Sequence, residues 1–158
     1  NVWLGVSVED QQRADERIPI LLDTPAVVRW ISAEPLLEAV KLRRPCLTGT
    51  DEREVWLDQV IVGGESGPQA RPFDLAWARS LRDQCAAAGT AYFLKQIGEH
   101  PHKVLRGRET CYIMPPGRKH CQAPDWHRWQ RSDRHGGDPA EWPEDLRVRQ
   151  WPSVGVTA

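Results

Sequence analysis

The sequence predicts an α/β fold: a partial, half TIM-type barrel with parallel strands, followed by an irregular C-terminal tail rich in Trp, Arg and His. Three observations point there. Four short, largely apolar runs, each closed by turn or charged residues, have the pattern of strands buried on both faces. Helical patterns lie between them, and strand–helix alternation implies a parallel sheet. The charged residues at the ends of the runs, Glu9, Glu34, Glu65 and Lys95, are spaced 25, 31 and 30 residues apart, close to one βα unit each. Four such units make half of an eight-stranded barrel.

The first run, residues 2–8 (VWLGVSV), is rich in β-branched residues and ends at Glu9-Asp10. Residues 12–24 carry Ala14, Ile18, Leu21 and Leu22 at helical spacing, and Pro19 is expected to interrupt that helix. The second run, 27–33 (VVRWISA), ends at Glu34-Pro35. The connection over 36–58 has room for one short helix, at about 51–57. The third run, 60–64 (VIVGG), is closed by Glu65. Residues 74–88 give the clearest helix, with Leu75, Ala78, Leu81, Cys85 and Ala88 on one stripe. Asp74 is placed to cap its start and Gly89 to end it, and Arg79 and Asp83 are spaced to pair across one turn. The fourth run, 91–96 (AYFLKQ), ends before Gly98. Residues 1–98 thus form the barrel half. Beyond 99 the apolar periodicity fades, while 99–158 holds all five histidines and four of the eight tryptophans. That segment reads as a tail packed on the barrel by tryptophan anchors, not as an independent domain.

A chain of 158 residues can bury one core of its own. Its 21 basic and 22 acidic residues give a net charge of −1, a balance that advertises neither a nucleic acid nor a membrane as partner. No apolar run approaches the roughly 20 residues that span a bilayer. The cysteines Cys46, Cys85, Cys111 and Cys121 form no CxxC pair and nothing points to a secretory route, so the chain reads as reduced and cytoplasmic. Residues 1–8 read as a strand already under way, which predicts the C-terminal part of a longer protein. A half-barrel leaves its first strand as an open edge. Its expected partners are therefore the missing N-terminal half of the barrel, or a second copy forming a homodimer through that edge.

Side chains alternate along a strand, so Trp3, Gly5, Ser7 and Glu9 share one face, as do Trp30, Ser32 and Glu34, then Ile61, Gly63 and Glu65, then Ala91, Phe93 and Lys95. Each strand turns polar at its C-terminal end, where parallel α/β folds carry their sites. Glu9, Glu34, Glu65 and Lys95 are the candidate catalytic residues. They sum to −2, a group able to hold an amine, a cation or several hydroxyls, with one carboxylate available as a general base. The plainer alternative is that each carboxylate caps a helix or pairs with an arginine; Arg29 and Arg71 are at hand. Residues 63–67 (GGESG) offer glycines that let backbone N–H groups approach a phosphate. They lack the GxxxxGK[ST], GxGxxG and GxSxG spacings, however. In the tail, Cys111, His120, Cys121, His127 and His135 are zinc-type ligands at a spacing that matches no standard knuckle, so no metal site is assigned. Arg106, Arg108, Arg118, Lys119, Arg128, Arg131 and Arg134, mixed with Trp126 and Trp129, supply the alternative function: a non-catalytic nucleic-acid-binding module that grips by phosphate contact and stacking.

Three long segments also carry a resemblance. They are residues 2–37 (VWLGVSVEDQQRADERIPILLDTPAVVRWISAEPLL), 60–99 (VIVGGESGPQARPFDLAWARSLRDQCAAAGTAYFLKQIGE) and 140–152 (AEWPEDLRVRQWP). Together they resemble a phage-type family of unknown function whose full-length members carry a three-cysteine motif near the N-terminus. The resemblance implies a radical SAM-like partial barrel. In full-length members the three cysteines would ligate an iron–sulfur cluster that binds S-adenosylmethionine. No cysteine of this chain matches that array, so the resemblance implies the substrate- and cofactor-side half of such an enzyme, inactive alone and without a cofactor of its own. Ser7, Gly64, Ser66 and Arg71 are then the candidate cofactor-binding residues, at or beside the mouth formed by Glu9, Glu34, Glu65 and Lys95.

Overall fold

The computed structural model describes residues 2–43, 55–105, 109–112, 133 and 135–153. In chain order the elements are β1 (Trp3–Ser7), α1 (Gln11–Asp23), β2 (Val28–Ala33), β3 (Gln59–Gly63), β4 (Phe73–Asp74), α2 (Leu75–Ala88), β5 (Ala91–Gln96), β6 (Pro101–Leu105) and β7 (Glu109–Tyr112). Two short 3-10 turns follow at Pro139–Glu141 and Glu144–Leu146. The four apolar runs are the four strands of one parallel sheet, ordered β1-β2-β3-β5. Its register sets Gly5 beside Trp30, Trp30 beside Gln59, and Gln59 beside Ala91.

Both described helices lie on one face of this sheet. Ala14, Ile18 and Leu21 of α1, and Leu75, Ala78, Leu81 and Cys85 of α2, join Ile31, Ala33, Val60, Val62, Tyr92 and Leu94 of the strands in a single buried cluster. The caps of α2 are those its sequence implies. The Asp74 side chain accepts from the Ala76 N–H, and Gly89 takes the left-handed conformation (φ 73°) that ends the helix. Pro19 does not interrupt α1. It sits on the exposed side, where the one carbonyl it leaves without an intrahelical donor, that of Asp15, can turn to water.

Between β2 and β3 no helix is seen among the described residues. Of the helix predicted at 51–57, residues 51–54 lie outside the described residues and 55–57 are not helical. Instead, residues 40–42 are held by two glutamines, one from each helix. Gln11 Nε2 donates to Lys41 O while Lys41 N donates to Gln11 Oε1 (3.2 and 2.7 Å). Gln84 Nε2 donates to Val40 O while Leu42 N donates to Gln84 Oε1 (3.0 and 2.8 Å). Each amide side chain takes the place of a neighbouring strand.

The tail is more ordered than its composition suggests. β6 pairs parallel with β4 and antiparallel with β7, forming a second, three-stranded sheet. Residues 136–151 then return as a strap along the outer edge of β5. Leu94 N donates to Val148 O (2.9 Å), Gln150 N donates to Tyr92 O (2.8 Å), and Phe93 bridges Arg149 in antiparallel fashion. Trp142 is the buried anchor of this strap and its indole N–H donates to Gly136 O (2.8 Å). Trp126 and Trp129 lie outside the described residues. Arg79 does not pair with Asp83. It reaches across to Asp145 of the strap (2.7 Å), which also accepts from Arg82 (2.8 Å), and Arg82 takes Asp83. A carboxylate between two arginines is a better acceptor site than one helical turn offers. No helix among the described residues is long and apolar enough to cross a membrane.

Candidate functional site

Among the described residues, no helix packs on the second face of the parallel sheet. Trp3, Gly5 and Ser7 of β1 line up there with Trp30 and Ser32 of β2, Ile61 and Gly63 of β3, and Phe93 and Lys95 of β5. The Trp30 indole lies directly over Gly5, in space that any side chain on Gly5 would need. At the C-terminal end of this face sits a largely enclosed carboxylate, that of Glu34. Glu34 Oε2 accepts from Ser32 Oγ (3.2 Å) and from Lys95 Nζ (3.3 Å). The Glu34 side chain is 15% exposed and that of Lys95 58%, so a mostly enclosed carboxylate holds an ammonium that still faces solvent. Glu34 Oε1 is buried and has no hydrogen-bond partner among the described residues. It presses against Gly63, where a Cβ would collide with it. Gly63 is therefore what admits the carboxylate to the sheet end.

The other predicted charges are placed apart from this pair. Glu9 turns to α1, where Arg17 Nη1 meets its Oε2 at 3.1 Å and also donates to Ser7 O (2.8 Å). Glu65 is gripped by Arg71 through two guanidinium bonds (2.8 and 3.1 Å) and the Arg71 backbone N–H (2.9 Å). The side-chain hydrogen bonds from Arg71 hold the Glu65 carboxyl below its ordinary value, and the same bonds raise Arg71. Of the four candidate catalytic residues, only Glu34 and Lys95 touch. Glu9, Glu34, Glu65 and Lys95 sum to −2, but Arg17 and Arg71 answer Glu9 and Glu65, so the six side chains together are three carboxylates against three cations, a net of zero. A neutral mouth does not draw cations by field alone. It selects by matching separate donors and acceptors.

The glycine stretch 63–67 has structural work at two of its positions. Gly64 N–H donates to Gln96 O (3.1 Å) and Gly64 O accepts from Gln96 Nε2 (2.8 Å), so this N–H is not offered to a phosphate. A Cβ on Gly64 would strike the Ile97 carbonyl, and Gly98 (φ 72°) lies as tightly against Glu65. Gly64 thus fastens the β3 loop to the β5 loop. Ser7 and Ser66 are exposed, and Arg71 is committed to Glu65.

Ser32, Gly63 and Arg17 belong to the site region and were not among the candidates. Ser32 and Gly63 could have been found by the period-two alternation that placed Glu34 and Glu65 on the inner face. Arg17 had no such signal, because its reach depends on how α1 crosses the strand end. Cys85 is enclosed by the core, and burial pushes its thiol up to about 12. Among the described residues no group of three His, Cys, Asp or Glu side chains is arranged to hold a metal ion. Cys46, His120, Cys121 and His127, like Arg106, Arg108, Arg118, Lys119, Arg128, Arg131 and Arg134, lie outside the described residues.

A family model described as "Protein of unknown function (DUF5131)" matches residues 1–124. No curated protein and no solved structure matches the chain.

Proposed function

The chain belongs to the DUF5131 family of proteins of unknown function, and from that premise we propose that it is the substrate- and cofactor-side part of a radical SAM-like enzyme. The sheet supports a partial-barrel reading: its four parallel strands follow one another in sequence order, and both described helices pack on one face. A doubly wound sheet would reverse its order and carry helices on both faces.

One observation carries the assignment of the site. Glu34 is kept in an enclosed position with Oε1 unmatched, although a buried acceptor without a donor costs about 1–3 kcal/mol. An ion pair retained only to tie strands together would gain nothing from that cost. A carboxylate and an ammonium held side by side, with the Ser32 hydroxyl on the carboxylate and Ser7 beside Ser32 in the register, suit a ligand that is itself zwitterionic and hydroxylated. S-adenosylmethionine is such a ligand, and Glu34, Ser32 and Lys95 are the residues that would hold its polar end. The iron–sulfur cluster finds no ligand set among the described residues, since Cys85 is sealed in the core. No step is therefore assigned to it in this chain.

The class is tested on a longer protein that carries a cysteine array upstream of this sequence. After reconstitution with iron and sulfide, reductive cleavage of S-adenosylmethionine is the expected result. Absence of cleavage in a protein with a fully loaded cluster would overturn the assignment.

A further inference from the structure

We propose that Arg149, on the strap, is a positioning residue of the site and acts through Lys95, an inference that rests on the reading of Glu34 and Lys95 as ligand-holding groups. It begins in the register of the sheet. Val62 of β3 pairs with Leu94 of β5, but the next residue of β3, Gly63, pairs with Gln96. Lys95 is therefore an extra residue in β5, with no partner in β3. A bulge of this kind bends its strand and re-aims the side chain it carries, and bulges concentrate beside active sites. This one carries the ammonium that reaches Glu34 Oε2 at 3.3 Å.

A bulge frees backbone groups that the ladder would otherwise fix. In a regular strand successive carbonyls point to opposite neighbours. Leu94 faces the strap, since its N–H donates to Val148 O (2.9 Å), so Lys95 O would face β3. Instead both carbonyls turn to one guanidinium: Arg149 Nε donates to Leu94 O (3.2 Å) and Nη2 to Lys95 O (3.1 Å). Arg149 is itself held in place. Its Nη2 reaches Gly137 O (3.4 Å), and its guanidinium carbon stands 5.4 Å from the Phe93 ring and 4.9 Å from that of Trp142, the buried anchor of the strap. Beyond the bulge, Ile97 N donates to Gly136 O (2.9 Å). Lys95 is thus fixed from the strap on both sides.

The strap needs no side chain to pair with β5, because Val148 and Gln150 do so through their backbones. The Arg149 side chain is used at the bulge. A planar fork can take two carbonyls and lie against aromatic rings, whereas an ammonium on a flexible stem cannot hold both at fixed angles. With the backbone of Lys95 fixed, only its side chain remains to be ordered when the ammonium meets Glu34 or a ligand.

The test reads Lys95 directly. The protein is treated briefly with acetic anhydride, and acetylation of Lys95 is measured by peptide mass spectrometry as a ratio to that of Lys41, an exposed lysine outside the site. Arg149→Met is expected to raise the ratio about two- to fivefold, the protection that a part-exposed ion pair gives, and Glu34→Gln to raise it as much. Arg149→Lys keeps the charge but lacks the fork, so it is expected to match Arg149→Met, and it carries the test if Arg149→Met does not fold. A ratio that rises in neither Arg149 variant would overturn the proposal; faster exchange of the Leu94 and Gln150 amides would then mark Arg149 as a tie for the strap alone. A rise in Arg149→Met without one in Arg149→Lys would also overturn it, since charge alone would then be the cause. In both variants the affinity for S-adenosylmethionine is expected to fall about threefold or more. An affinity equal to the parent's alongside a raised ratio would contradict the positioning role. A parent chain that does not bind S-adenosylmethionine would instead overturn the assignment of the ligand, while the acetylation ratio still decides whether Arg149 places Lys95.

Discussion

Glu34 separates a site from a strut. If the carboxylate served stability alone, Glu34→Gln would leave Lys95 unanswered and cost free energy. If it is held for a ligand, a neutral amide of the same shape, which costs less than a charge to enclose unmatched, should leave the urea midpoint unchanged or raise it, as expected where function opposes stability. Gly63→Ala tests the same geometry from the other side. The added methyl would occupy the space of the Glu34 carboxylate, so a loss of about 1–3 kcal/mol is expected by urea denaturation, as for overpacking elsewhere. Gly67→Ala, where a Cβ meets nothing but the backbone is left-handed (φ 103°), should cost less, about 1 kcal/mol. Much of this was legible from alternation alone, which put Glu34, Gly63 and Lys95 on one face. It could not say which charges would be neutralised locally. Arg71 is six residues from Glu65 and was a visible partner. Arg17 became one only through the crossing of α1 over the strand end.

At the scale of elements, the strap is the least expected feature and the most open to perturbation. Arg79, supported by Arg82, holds the Asp145 carboxyl down at about 2, against burial acting in the opposite sense. An unfolded aspartate titrates near about 3.9, so the folded-state value is the lower one. The contribution of Asp145 is therefore complete above about pH 4 and is lost as pH falls through about 2. The difference in urea midpoint between the protein and its Asp145→Asn variant should be constant at neutral pH and vanish across that window. At neutral pH, the Leu94 and Gln150 amides should exchange faster with solvent in the variant, since both lie in the pairing that Asp145 holds in place. The sequence pattern reveals β1, β2, β3, β5 and α2 because each has a strong period. It conceals the strap, whose three paired residues are too few for one, and β6 with β7, whose run PHKVL alternates weakly. The continuation of α1 through Pro19 was concealed for another reason: the cost of a helix proline depends on whether the orphaned carbonyl faces water.

Among the described residues, the arrangement amounts to a sheet with one helical face, one face without a helix, one capped edge and three ion pairs at or near its C-terminal end. The helix-free face carries the half-buried Trp30, Ile61 and Phe93 below the Glu34–Lys95 pair, with Trp151 packed at 5.1 Å on Phe93 and the Arg149 guanidinium 5.4 Å from the same ring. A ligand lying there would meet apolar rings along its body and a matched carboxylate and ammonium at one end. That is the central claim, and calorimetric titration of the chain with S-adenosylmethionine tests it most directly. Saturable, weak binding is predicted, reduced about tenfold or more by Glu34→Gln and by Lys95→Met in variants whose folding is intact, as when a charged group that pairs with its ligand is removed. A folded chain that binds nothing, or binds equally well in all three forms, would contradict it.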